Sequence, residues 1–192
     1  MFLFVDDLVE FFDFDKINKG KSGKHHSVRV DDPRLARIVK RCRDVPGQRL
    51  FQYLGADGAF HAVTSGDVND YLREVTGEPF SAKDFRTWAG TLLAVHALAA
   101  CEPQTSLTAK RREVKRALEG VSQELGNTIA ICRKSYVHPA VIDQYTTGEL
   151  GTTFRAAARQ AKRKPVRGLR QPEVIALRWL EALPMAALPR AA

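Results

Sequence analysis

The chain has 192 residues, enough for one main domain with a hydrophobic core and too few for two large ones. Its 30 Lys and Arg against 22 Asp and Glu leave a formal net charge of +8. That excess favours a polyanionic partner, nucleic acid before an anionic membrane surface, because clustered cations gain affinity by releasing counterions from phosphates. Cys42, Cys101 and Cys132 are odd in number and lack C-x-x-C spacing, which argues against a disulfide framework and a zinc site and fits a reduced cytoplasm.

The opening MFLFVDDLVEFFDF is apolar but interrupted by Asp6, Asp7, Glu10 and Asp13, without the positive start of a signal peptide. Nowhere does an apolar run approach the roughly 20 residues of a spanning helix, so a soluble protein with no membrane association is expected. Residues 10 to 30 read as a β-hairpin, with Phe11, Phe12 and Phe14 on one arm and His26, Val28 and Val30 alternating on the other. Lys21 lies at or near its tip, in the turn KGKSGK. Asp31 or Asp32 can cap a helix that carries Pro33 in its first turn and runs to about Cys42. LFQYL and AFHAV, separated by GADG, read as short strands or extended connectors.

Thr64 and Ser65 precede a helical pattern of Val68, Tyr71, Leu72 and Val75 that stops at Gly77. Ser81 begins a longer one whose apolar face runs from Phe85 through Trp88, Leu92, Val95 and Leu98, as in a buried central helix, with Arg86 expected in its first turn. Residues 105 to 125 form an amphipathic helix that ends at Gly126, and Asn127 or Thr128 can cap the next. Pro139 starts a short helix. From Gly151 to Gln171 there is no acid while seven Lys and Arg accumulate, which reads as a solvated basic face or a tail that grips nucleic-acid backbone without choosing sequence. Pro172 opens a last helix with Val174, Ile175, Leu177 and Leu180, and LPMAALPRAA looks frayed.

The chemistry concentrates in residues 121–139, where Asn127 stands nine residues before Tyr136 in a basic neighbourhood. A tyrosine phenol, with an unperturbed pKa of about 10, attacks phosphate only with cations and donors close by. Arg133 and Lys134 are sequence neighbours but do not share a helix face with Tyr136. Arg86, in the K-x-x-R pair with Lys83, is the better candidate, since a guanidinium fork can hold two non-bridging phosphate oxygens. Tyr145 lies beyond the Pro139 break with no amide nine residues upstream and is read as structural. Tyr53 and Tyr71 sit in apolar patterns and are core candidates. GKS is not a phosphate-binding loop, because Asp15 stands where the first glycine is required. Carboxylate and Cys/His groupings that would suggest magnesium or zinc are lacking.

Taken together, G-K at Gly20–Lys21, K-x-x-R at Lys83–Arg86, and G-N-T followed by S-Y-V-H-P around Tyr136 resemble the catalytic domain of type IB DNA topoisomerases, the bacterial and poxvirus-like branch. The resemblance runs from about Lys19 to Gln144. It implies a mainly α fold with a small β-hairpin, of the DNA breaking-rejoining class shared with tyrosine recombinases, in which usually H-x-x-R stands where Lys83 and Arg86 stand here. It implies Tyr136 as nucleophile, Arg86 and Asn127 as phosphate ligands, and Lys21 as general acid toward the leaving 5′ oxygen, with Lys24 the nearest alternative. Double-stranded DNA is the implied partner, with no metal, nucleotide or other small-molecule cofactor, in a monomer associated with the nucleoid.

Expected organisation is a divergent segment 1–18, a catalytic domain 19–150 and a basic extension 151–192. Relatives carry an R-I-G-N or R-V-G-N segment that supplies a first arginine, and a DNA-clamping domain before it. Here no arginine precedes Arg29. The expectation is therefore an amino-truncated, impaired topoisomerase, with a DNA-binding remnant as the alternative and a recombinase after it.

Overall fold

The computed structural model describes residues 32–43 and 49–184. The expected hairpin at 10–30, with Lys21, Lys24, His25 and His26, lies outside the described residues, as does most of LPMAALPRAA. The chain divides into two units, Met1–Pro79 and Phe80–Ala192.

In the first unit, helix α1 spans Pro33–Arg43. Of the two candidate caps it is Asp32 that serves, its Oδ1 accepting from the N–H of Arg34 (2.7 Å) and Leu35 (3.2 Å). Strands β1 (Gln52–Leu54) and β2 (Phe60–Ala62) pair antiparallel, with Tyr53 opposite His61. Both pieces are therefore strands. Gly58, at φ +76°, supplies the left-handed residue of their connection, and Asp57 accepts from the Ala59 N–H (3.0 Å) and pairs with His61 (3.0 Å). Helix α2 covers Ser65–Thr76 between Thr64, which shares a capping box with Asp67, and Gly77 in the left-handed conformation.

Tyr53 and Tyr71 are 47% and 63% exposed, which corrects their reading as core residues. Tyr53 stacks on His61 with ring centroids 5.6 Å apart, a contact on the sheet surface, and α2 buries none of its residues.

The second unit is all helix among its described residues: α3 (Ala82–Ala99), α4 (Leu107–Leu125), α5 (Ile129–Ser135), α6 (Pro139–Thr147), α7 (Leu150–Arg163) and α8 (Gln171–Glu181). Helix α3 is the central element, packing against α4, α6, α7 and α8. Its start is fixed by Ser81, whose N–H and hydroxyl both donate to Asp84 Oδ2 (2.8 Å each) and hold that carboxyl below its ordinary pKa. Its buried face is Gly90, Thr91, Ala94, Val95 and Leu98, while Phe85, read from the pattern as inward, is 54% exposed.

Around α3 the core is made by Val121 of α4, Cys132 of α5, Val141 of α6, Leu150 of α7 and Trp179 of α8, all 1% exposed or less. Burying a side chain of this size contributes about 1.5–3 kcal/mol. The acid-free run is no detached tail. Leu150, Ala157 and Ala161 are buried and Phe154 packs on the core, a 4-3-4 spacing that forms one face of α7. Arg155, Arg159, Lys162 and Arg163 occupy the exposed side.

Candidate active site

Three of the four residues singled out in the sequence lie in the second unit, and the fold brings them into contact. Arg86 is the fifth residue of α3, which begins at Ala82 after the Ser81 cap, so it opens the second turn and does not lie in the first as the pattern suggests. Asn127 is in the break between α4 and α5, which exists because Gly126 takes φ +65° and ends α4. Tyr136 is the residue that closes α5, at φ −128°, ψ −5°, its N–H bonded to Cys132 O.

The Arg86 guanidinium joins these pieces. Its Nη2 donates to the Leu125 carbonyl (2.6 Å), one of the terminal acceptors of α4, and also to Asn127 Oδ1. The same guanidinium lies over the Tyr136 ring, 5.0 Å from its centroid, within cation–π range. Arg86 Nε and Nη1 make no hydrogen bond among the described residues, so three of the five N–H donors of the fork stay unspent.

Asn127 was one of two candidate caps for α5. The cap is Thr128, whose Oγ1 accepts from Ile131 N (3.3 Å), and this frees the Asn127 amide for the site. A cation on one side fixes that amide's orientation: Oδ1 faces Arg86, leaving the Nδ2 donors directed elsewhere. Ser122 Oγ donates to the Asn127 carbonyl (2.6 Å) and holds its backbone.

Tyr136 is half-buried, and its hydroxyl makes no hydrogen bond among the described residues. Tyr145, the competing tyrosine, is 7% exposed, and burial, then the neighbouring Cys101 and Glu113, raise its pKa. Both features suit a core residue. Cys132, beneath the site, is fully buried, and burial raises its thiol pKa against the opposing pull of Arg86. Lys83 is exposed and takes no part in the Arg86 contacts, though its carbonyl accepts from Thr87 Oγ1 (2.9 Å). Lys21 lies outside the described residues. Among the described residues no His, Cys, Asp and Glu gather to hold a metal, and no helix is long and apolar enough to cross a membrane.

Two further groups bear on the site that the pattern did not reveal. Thr91 of α3, 3% exposed, accepts from the His138 N–H (3.0 Å) and lies 3.5 Å from the Tyr136 carbonyl. Trp179 of α8 meets the His138 ring edge to face at 6.4 Å. A hydroxyl five residues after an arginine on an apolar helix face would have been the signal for the first.

The arrangement is a partly free guanidinium, an oriented amide and a phenol on three converging elements, a set of donors suited to a tetrahedral oxyanion beside a nucleophile. Comparison with known proteins gives the family of the chain. Residues 7–163 match the family described as eukaryotic DNA topoisomerase I, catalytic core. A relative, DNA topoisomerase 1B of Acanthamoeba polyphaga mimivirus, is 30% identical over 135 residues, covering 66% of this chain and 40% of that protein. The chain thus spans about 40% of the length of the curated relative it matches. With most of its length matched and the fold mainly helical, the chain belongs to the DNA topoisomerase I catalytic-core family, type IB.

Proposed function

We propose that this chain carries out DNA strand transfer of the type IB topoisomerase kind, with Tyr136 as the nucleophile. The observation that carries the reading is Arg86 linking Asn127 to Tyr136: one guanidinium touches both the oriented amide and the phenol ring. The Tyr136 oxygen attacks a backbone phosphorus, a 3′-phosphotyrosyl ester forms, and the bond to the 5′ oxygen breaks. The phenolic proton passes to water, and Lys21 supplies a proton to the departing 5′ oxygen. Arg86, through Nε and Nη1, and Asn127, through Nδ2, stabilise the charge that builds on the non-bridging oxygens.

Religation reverses these steps, and rotation of the duplex between them relaxes supercoils. The phosphotyrosyl ester conserves the energy of the broken phosphodiester, so neither a nucleotide nor a metal is required by the chemistry. The substrate is double-stranded DNA, bound by a monomer in the cytoplasm at the nucleoid. Because residues 1–192 contain no R-I-G-N or R-V-G-N segment, their turnover by themselves is impaired. Loss of one such cation costs about 10²–10³ in rate, by analogy with one oxyanion donor.

The test is a suicide duplex from which the released 5′ end diffuses away. The parent chain and Tyr145→Phe should accumulate a denaturation-resistant adduct at the 3′ phosphate, and Tyr136→Phe should form none. Adduct persisting in Tyr136→Phe would remove the tyrosine from its role.

A further inference from the structure

Arg86, Thr87, Gly90 and Thr91 lie one turn apart on one side of α3, and that side faces the backbone of residues 135–138. Thr87 Oγ1 reaches the Ser135 carbonyl (3.4 Å), and Thr91 Oγ1 accepts from the His138 N–H (3.0 Å) while lying 3.5 Å from the Tyr136 carbonyl, to which it donates. Between the two threonines, Gly90 lets the segment approach closely: a Cβ there would stand 2.4 Å from the Tyr136 carbonyl oxygen and 3.2 Å from the Tyr136 Cβ. The first distance is far inside van der Waals contact with a backbone atom. The Tyr136 N–H is already bonded to Cys132 O. Both main-chain polar groups of the tyrosine are thus satisfied, one by its own helix and one by α3.

We infer that Gly90 and Thr91 are positioning residues for Tyr136, with α3 setting the tyrosine's backbone in register with the arginine that the same helix carries one turn earlier. The inference rests on the reading of Tyr136 as nucleophile. Its physical content is that cation and nucleophile move as one body. Arg86 contacts the ring from one turn of α3 while Thr91 and Gly90 hold the main chain from the next, so the free protein already has the phenol beside the guanidinium. DNA then has to place a phosphate against a preassembled pair, which removes an ordering step from the reaction.

Thr91 is buried, so the alternative is that its hydroxyl only satisfies the fold. The two roles separate by experiment. Single-turnover cleavage of a suicide duplex is measured for the full chain and for Thr91→Val, Thr91→Ser and Gly90→Ala, with non-covalent affinity measured for each in the Tyr136→Phe background. Displacing a reacting group by about an ångström can cost on the order of 10²-fold. Thr91→Val and Gly90→Ala should therefore slow adduct formation about tenfold to a hundredfold with duplex affinity changed less than about twofold, and Thr91→Ser, which keeps the oxygen, should recover most of the rate.

A second readout does not need activity. In protein labelled with 3-fluorotyrosine, the Tyr136 resonance, assigned by its loss in Tyr136→Phe, should move in Thr91→Val and Gly90→Ala and stay in Thr91→Ser. Parent cleavage rates in both Thr91→Val and Gly90→Ala, or an unmoved resonance, overturns the inference, as does loss of rate that follows loss of thermal stability and is not recovered by Thr91→Ser. If the parent itself forms no adduct while the resonance moves as described, the positioning stands and the assignment of Tyr136 as nucleophile falls.

Discussion

His138 follows Tyr136 by two residues, and its imidazole caps α6: Nδ1 accepts from the Ala140 N–H (3.2 Å) ahead of Pro139. An acceptor at Nδ1 requires the neutral ring with its proton on Nε2, and that atom is buried without a hydrogen-bond partner. Protonation would abolish the cap and place a charge beside Trp179. Accordingly the pKa of His138 is lowered from 6.5, by burial first, with Asp143 opposing. A base whose folded pKa is lowered binds its proton more readily unfolded, so the stabilisation is complete above about 6.5 and is lost as pH falls toward the folded value. Urea midpoints between pH 7 and pH 5 should therefore fall for the parent and fall less for His138→Asn, which keeps an N-cap acceptor and does not titrate. Parallel curves would remove His138 from the acid response. At this scale, much of the proposed site was legible. The Asn127 to Tyr136 spacing and K-x-x-R marked three side chains that meet, because a short helix between a Gly break and a Pro restart leaves little freedom for where they point. The division of labour between Asn127 and Thr128 was not legible, since either can cap a helix and only the position of Arg86 decides which amide is recruited.

Helix ends were readable wherever a cap carried them: Thr64 and Gly77 bracket α2, Ser81 opens α3 and Gly126 closes α4. Helix α7 was harder, because a count of charges reports only the exposed side, and small alanines do not announce a packing face. Its partner α8 contributes the largest fully buried side chain, Trp179. The indole N–H donates to Gln144 Oε1 (3.0 Å), which also accepts the Thr153 hydroxyl (2.7 Å), so one amide oxygen on α6 gathers α7 and α8. His96 Nε2 donates to the Pro172 carbonyl (3.0 Å) and joins α3 to the start of α8. Trp179→Ala should cost about 3–5 kcal/mol, the usual range for emptying an aromatic site in a core. Trp179→Phe keeps much of the volume, though not all of it, and loses the bond to Gln144, worth about 1 kcal/mol, so it should fall clearly between parent and alanine. Denaturant unfolding of the three proteins measures both. An alanine variant within about 1 kcal/mol of the parent would mean that α8 is dispensable to the core.

The positive charge of the described residues is unevenly neutralised, and this bears on how the chain would meet the duplex DNA proposed as its substrate. On α4, Arg112 and Arg116 pair with Glu113 and Lys115 with Glu119; on α8, Arg178 pairs with Glu181, and Arg170 at its start with Glu173. Arg159, Lys162, Arg163, Lys164 and Arg167 have no carboxylate partner among the described residues, and no acid occurs between Glu149 and Glu173. Exposed cations left without carboxylates are a surface for phosphates, and backbone contacts of this kind add affinity without sequence choice. Deleting residues 151–192 would test this badly, because the cut removes Trp179, Ala157 and Ala161 from the core along with the charge. Neutralising the exposed side of α7 avoids that. In a variant with Arg155, Arg159, Lys162 and Arg163 all changed to Gln, the buried face is untouched and glutamine keeps a helix propensity close to that of the residues replaced. Each side chain that displaces a counterion from duplex DNA contributes about 0.9 to the magnitude of the slope of log K against log salt. The quadruple variant should lose about that much for every one of the four that meets a phosphate, with unchanged circular dichroism and a weakened, still measurable affinity at low salt. A folded variant with the parent's slope would reduce this side of α7 to a solubilising face and leave the polyanion to the rest of the molecule.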